Sequence, residues 1–152
     1  MNHLQRAVEI ARLSAVEGGG PFGAVIVLPD GQTVEATNRV TLDNDPTAHA
    51  EVSAIRKAAG QWGFDLSGAV LYTSCQPCPM CLTASLWARV DRIVYAATEH
   101  DAAAAGFDDR VFYEQLTGGL STVTMSEVVA DPLPERNAPF EAWAEYDLRV
   151  EY

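Results

Sequence analysis

Apolar and polar positions recur along the chain in two periods, and together they predict alternating helices and strands. Leu4, Val8, Ala11 and Ala15 fall at spacings of four and three, which predicts a first helix with those side chains on one face. Gly18, Gly19, Gly20 and Pro21 end it. Residues 22–28 are apolar apart from Gly23 and predict a strand buried on both faces. Pro29, Asp30 and Gly31 signal a turn, and 32–38 alternates weakly, as the return strand of a hairpin does. A polar loop is expected over 41–47, followed by a helix with Ala48, Val52, Ile55 and Ala59 as its stripe, running to Gly60. Residues 69–74 predict a second core strand. Residues 78–90 predict a helix with Leu82, Leu86 and Val90 on one face, and 92–97 a third strand. Strand, helix, strand in that order implies a right-handed crossover and parallel pairing. A small-residue loop over 102–106, a short helix over 111–116 and a strand over 122–130 follow. Pro132 and Pro134 break the chain before a last short helix carrying Phe140, Trp143 and Leu148. The pattern amounts to an α/β domain, a three-layer α/β/α sandwich with a mixed central sheet.

Composition narrows the classes open to such a domain. With 152 residues, 48% hydrophobic and 20% charged, the chain has the size and usage of one globular domain spanning 1–152, with a substantial core. Its longest apolar run is far shorter than the roughly 20 residues of a membrane helix, so no membrane partner is expected. The first residues are polar and charged where a signal peptide is apolar. A net charge of −11 opposes binding to a polyanion, so no nucleic-acid partner is expected either. The three cysteines, Cys75, Cys78 and Cys81, are too close together for a disulfide framework and have no distant partner. That usage points to metal binding or catalysis in a reducing, cytoplasmic setting.

Two segments carry the chemistry. Thr47-Ala48-His49-Ala50-Glu51 opens one predicted helix after Pro46, and Pro77-Cys78-Pro79-Met80-Cys81 opens another after a strand. One imidazole and two thiolates make a three-ligand zinc set, His49, Cys78 and Cys81. Cys78 and Cys81 sit at a helix start, where the positive end of the macrodipole favours thiolates. Pro77 and Pro79 suit a first turn, where missing N–H groups cost little. Three ligands leave a fourth position for water, whose pKa zinc lowers from about 15.7 toward about 7. Glu51, two residues after His49, is placed to accept and return a proton. Either segment alone says little: His-x-Glu is common by chance, and Cys-x-x-Cys also serves structural zinc or redox sites. Together, and in this order, they form a signature of zinc-dependent nucleobase deaminases. An iron–sulfur cluster needs a fourth cysteine, which the chain lacks. A closed structural site remains open as an alternative, with Cys75 as fourth ligand and no room for water.

At these motifs the chain resembles the cytidine deaminase-like superfamily and, within it, bacterial guanine deaminases. The similar stretches are Gly19-Gly20-Pro21-Phe22-Gly23-Ala24-Val25, Asn44-Asp45-Pro46 running into the His49 motif, Tyr72-Thr73-Ser74-Cys75, the Pro77 motif, Trp87-Ala88-Arg89, and Ala104-Ala105-Gly106-Phe107-Asp108-Asp109. The resemblance covers nearly the whole chain and is weakest over 117–136. It implies a cytidine deaminase-like fold, Zn2+ as cofactor and Cys75 as a non-ligand. It also implies a small-molecule base held by Asn38, the backbone near Ala50, Phe22 and Asp109. In such enzymes a terminal segment, here 139–152, covers an active site and is exchanged between the subunits of a homodimer, which implies a site role for Tyr152. Gln76 stands where the family usually has Glu, and Leu82-Thr83-Ala84-Ser85-Leu86 departs from the usual run after the last cysteine. These positions adjoin the metal motif and leave the ring open. Guanine leads, with cytosine-like rings, amino-triazines and guanosine as alternatives. A tRNA adenosine deaminase shares the metal motif, and a non-catalytic zinc module is the reading from outside enzymology. Residues 139–152 hold Arg149 against Glu141, Glu145, Asp147 and Glu151, the wrong balance for a tRNA binder. Glu51 argues against the module, since a structural site has no use for an acid beside the metal.

Overall fold

The structure is a computed structural model describing residues 1–152, and it divides into two compact units, Met1–Glu114 and Gln115–Tyr152. In the first, the helices are α1 (His3–Val16), α2 (Val40–Asp43), α3 (Ala50–Trp62), α4 (Pro79–Trp87), α5 (Glu99–Ala104) and α6 (Arg110–Leu116), the last running into the second unit. The strands are β1 (Gly23–Val27), β2 (Thr33–Thr37), β3 (Val70–Cys75) and β4 (Arg92–Ala97), in the sheet order β2-β1-β3-β4. β1 pairs antiparallel with β2 and β3, while β3 and β4 run parallel. The expected hairpin, parallel crossover and mixed sheet are therefore present.

Side-chain alternation along β1 builds three layers. Val25 faces α1, packing with Ala7 and Ile10, and Tyr72 joins from β3. Ala24 and Ile26 face the other way, onto Ala50, Ala54 and Ala58 of α3, with Leu71 beside them. The alanines let α3 lie close to the sheet. Full burial of a side chain such as Ile26 or Leu71 contributes roughly 1.5–3 kcal/mol. No helix is long and apolar enough to cross a membrane.

Several expectations from periodicity need correction. The buried face of α1 is Ala7, Ile10, Ala11 and Ser14, and Val8 is exposed. Gly23 marks the contact that sets this face: a Cβ there would run into the backbone oxygen of Ala7 and the Ile10 side chain, so the helix backbone lies close against β1. The stripe of α3 is likewise Ala50, Glu51, Val52, Ala54 and Ala58. In α4 the buried residues are Pro79, Cys81 and Ser85, while Leu86 and Trp87 are 65% and 64% exposed. That helix ends at Trp87, and Arg89 takes a left-handed φ of 59°. Within the expected loop over 41–47 lies α2, closed by Asn44 at φ 52°. The expected loop over 102–106 is partly α5, which Thr98 and Asp101 start with a capping box.

The second unit contains a 3-10 turn (Gly119–Thr122) and α7 (Ala138–Glu145). No strand forms over 122–130. The side chain of Gln115 accepts hydrogen bonds from the backbone N–H groups of Thr124 (2.6 Å) and Met125 (2.9 Å), donors a strand would give to a neighbour. Phe140 and Trp143 lie on α7, and Leu148 falls beyond its end. No residue of this unit is buried.

Candidate active site

The site forms where α3 and α4 begin. His49 is the N-cap of α3 and Cys78 the N-cap of α4, both with extended backbone, and neither side chain caps its own helix. They meet each other instead. His49 Nδ1 lies 3.6 Å from Cys78 Sγ and 3.4 Å from Cys81 Sγ. The three donor atoms lie within 4.8 Å of one another. Zn–N and Zn–S bonds of about 2.05 and 2.3 Å in a tetrahedron put nitrogen and sulfur about 3.5 Å apart, so the spacing fits zinc. Pro79 occupies the first turn of α4.

With no ion among them, these side chains and Glu51 share their protons unevenly. Hydrogen bonds from Cys81 and then His49 hold the Cys78 thiol far below its ordinary range, at about 4. The hydrogen bond to Cys78, burial and the neighbouring Glu51 push Cys81 the opposite way. Burial also raises Glu51, and the bond to Cys78 raises His49. Two sulfurs and a buried carboxyl cannot all be anionic together unless a positive charge lies among them. Cys75 is different. Its Sγ points to the backbone oxygen of Thr98 at 3.7 Å, and burial pushes its thiol up to about 11. The structure groups three ligand side chains and leaves Cys75 outside the group.

Glu51 occupies the first turn of α3 and is 6% exposed. Thr73 donates to its Oε1 at 3.1 Å, and the Cys81 thiol approaches Oε2 at 3.4 Å. One carboxylate oxygen is thus held while the other lies at the metal ligands. His49, Glu51 and Cys78 line a cavity of about 470 Å³, together with Phe22, Asn38 and Asp109. Asn38 is buried, and its Oδ1 accepts from the backbone N–H of Val40 at 3.2 Å. That bond assigns the acceptor end of the amide and leaves Nδ2 as donor. Asp109 Oδ1 is buried with no hydrogen-bond partner, and burial raises its carboxyl. An orphaned acceptor in a cavity wall is open to a hydrogen-bond donor from whatever fills the cavity. Ala50 is fully buried in the first turn of α3, where N–H groups have no partner within the helix. His100 is exposed on α5, away from the ligand cluster. Tyr152 lies exposed in the second unit.

Sequence reasoning missed the aromatic walls. Phe107 meets Phe22 edge to face, with centroids 5.1 Å apart at 89°, and Phe112 also lines the cavity. Tyr113 was missed as well; its hydroxyl donates to the Pro77 backbone oxygen at 2.6 Å, tying α6 to the ligand loop.

A family model, the cytidine and deoxycytidylate deaminase zinc-binding region, matches residues 1–97. The chain belongs to this deaminase family. It is 47% identical to a guanine deaminase of Bacillus subtilis, with all of both chains covered. A crystal structure of guanine deaminase from Bacillus subtilis superposes with a TM-score of 0.93 at 48% identity, covering 100% of this chain and 99% of that one. A solved guanine deaminase from Nitrosomonas europaea gives 0.66 at 33% identity, over 70% of this chain and 63% of the other. A tRNA-specific adenosine deaminase of Haemophilus influenzae is 35% identical over 70% of this chain and 65% of its own length. The deaminase fold, the hydrolase class and the zinc-binding region thus stand beside a His49, Cys78 and Cys81 cluster spaced for the ion.

Proposed function

We propose that this protein is an aminohydrolase acting on the cyclic amidine C–N bond of a free purine base, converting guanine to xanthine and ammonia. The observation that carries this reading is the buried, unpartnered Asp109 oxygen in the same cavity as the metal ligands and Glu51. Guanine offers N–H donors beside carbonyl and ring-nitrogen acceptors. Asp109 accepts from its N–H edge, Asn38 Nδ2 and the N–H of Ala50 donate to its acceptors, and Phe22 lies against its π-face. Zinc, when held by His49, Cys78 and Cys81, supplies the Lewis acidity that makes water a nucleophile near neutral pH. Glu51 takes a proton from the attacking water and delivers it to the ring nitrogen. It then serves the departing amine as the C–N bond breaks and a carbonyl forms on the same carbon. The likeness to guanine deaminase along the full chain supports this substrate over a tRNA adenosine. So does the charge, for 115–152 holds two arginines against seven carboxylates.

The same reading includes a homodimer in the cytoplasm. The second unit has no buried residue and exposes Leu120, Val129, Phe140, Trp143 and Leu148. That much apolar surface needs cover, and a second copy of the chain supplies it. Residues 139–152 then close over an active site, with Tyr152 at the partner's cavity. The free, buried cysteines suit a reducing compartment.

The test is ammonia release by zinc-loaded protein over guanine, guanosine, cytosine, adenine and amino-triazines. Guanine is expected to give equimolar xanthine and ammonia, and Glu51→Gln to retain zinc while losing nearly all turnover. Preference for another ring, or tight salt-sensitive binding of tRNA in a gel shift, overturns the substrate. Full activity of Glu51→Gln overturns the mechanism.

A further inference from the structure

Resting on that reading, we propose that Thr73 is a positioning residue, whose buried hydroxyl fixes the Glu51 carboxylate for proton transfer. Along β3, Leu71 and Thr73 share the face turned to α3, and Leu71 belongs to the apolar core there. Thr73 is 1% exposed, in a place where a valine of the same shape would pack. A hydroxyl taken from water without a partner costs free energy, so a threonine here needs an acceptor. Its acceptor is Glu51 Oε1 at 3.1 Å. Glu51 reaches this point from the first turn of α3, so the bond joins the central sheet to the acid across the layer boundary.

The bond makes the two carboxylate oxygens inequivalent. Oε1 is tethered to the sheet, and Oε2 is turned toward Cys81 at the ligand cluster. A proton carrier must serve the water, the ring nitrogen and the leaving amine in turn, so its free oxygen has to stay within hydrogen-bond reach of each. Without the tether, the carboxylate can rotate about its last torsion, which is broad and roughly two-fold. Thr73 sits behind Glu51 and does not line the cavity, so the tether affects the chemical step more than substrate binding.

The experiment compares Thr73→Val, which keeps shape and loses the donor, with Thr73→Ser, which keeps the donor and loses a methyl. Each is measured for zinc content, kcat and KM with guanine. Thr73→Val is expected to retain stoichiometric zinc and a KM near that of the parent while kcat falls roughly 10–100-fold, the scale of a small misplacement at a reacting centre. Thr73→Ser is expected to stay within a few-fold of the parent. Unchanged kcat in Thr73→Val overturns the proposal, and so does an equal fall in both variants, which would assign the effect to packing. If Thr73→Val does not fold, Thr73→Ser decides by the same criterion: a kcat fall of tenfold or more with zinc retained overturns the proposal. An unmodified protein that does not deaminate guanine instead refutes the functional reading, a result separate from either of these.

Discussion

In the proposed function Asp109 is the residue that reads the N–H edge of the base. Its Oδ1 accepts no hydrogen bond in this structure, so a base with an N–H edge would supply the missing partner. Asp109→Ala is expected to raise KM for guanine by about 10–100-fold, the worth of a hydrogen bond to a charged group, and to leave zinc content unchanged. Steady-state kinetics with metal analysis checks this, and an unchanged KM would remove Asp109 from the binding edge. At this scale the sequence was legible where chemistry is encoded in neighbours. His49 with Glu51, and Cys78 with Cys81, announce themselves because each pair lies within one helix start. Thr73, Phe107 and Phe112 do not, because their closeness to the site exists only after β3, α5 and α6 are packed. Thr73 in particular reads in sequence as an ordinary strand residue, and only its acceptor reveals its use.

At the scale of elements, the order and type of the main helices and strands were legible, and the buried faces of the helices were not. Large apolar residues such as Val8 and Leu86 drew the expected stripes, yet α1 and α4 are exposed there. α1 approaches the sheet through Ala7 and Ala11 beside Ile10, over the close backbone contact at Gly23, and α4 turns inward through Cys81 and Ser85. The strand expected over 122–130 failed for a different reason, since one glutamine side chain satisfies backbone donors locally, and no hydropathy pattern reports that. Close approach also links an element to the substrate. A Cβ on Gly20 would lie 2.6 Å from Asn38 Oδ1, so the loop after α1 holds the Asn38 amide by having no side chain. Gly20→Ala is expected to displace that amide and raise KM several-fold, with thermal stability and zinc content close to those of the parent. A KM at the parental value would show that Asn38 is fixed by Val40 alone.

At the scale of the molecule, the distribution of apolar surface matters more than net charge. The first unit has a continuous core on both faces of its sheet, whereas the second has α7 and a 3-10 turn with no buried residue between them. A segment of that length cannot offset its own conformational entropy by burial within itself. Its apolar residues, Phe140 and Trp143 on α7 among them, also face away from any role a solvated tail would have. In the proposed homodimer a second copy would cover those residues and bring Tyr152 to a cavity. The expected outcome in sedimentation is a mass of two chains, each of 16.4 kDa. Phe140→Glu combined with Trp143→Glu is expected to shift that mass to one chain. The same variant should cut guanine turnover, because the cavity loses its cover, while zinc remains bound at His49, Cys78 and Cys81. A parent protein that sediments as a single chain with full activity would show that the apolar face of α7 has another partner. A dissociated variant with parental kcat and KM would separate dimer formation from catalysis and remove Tyr152 from the site.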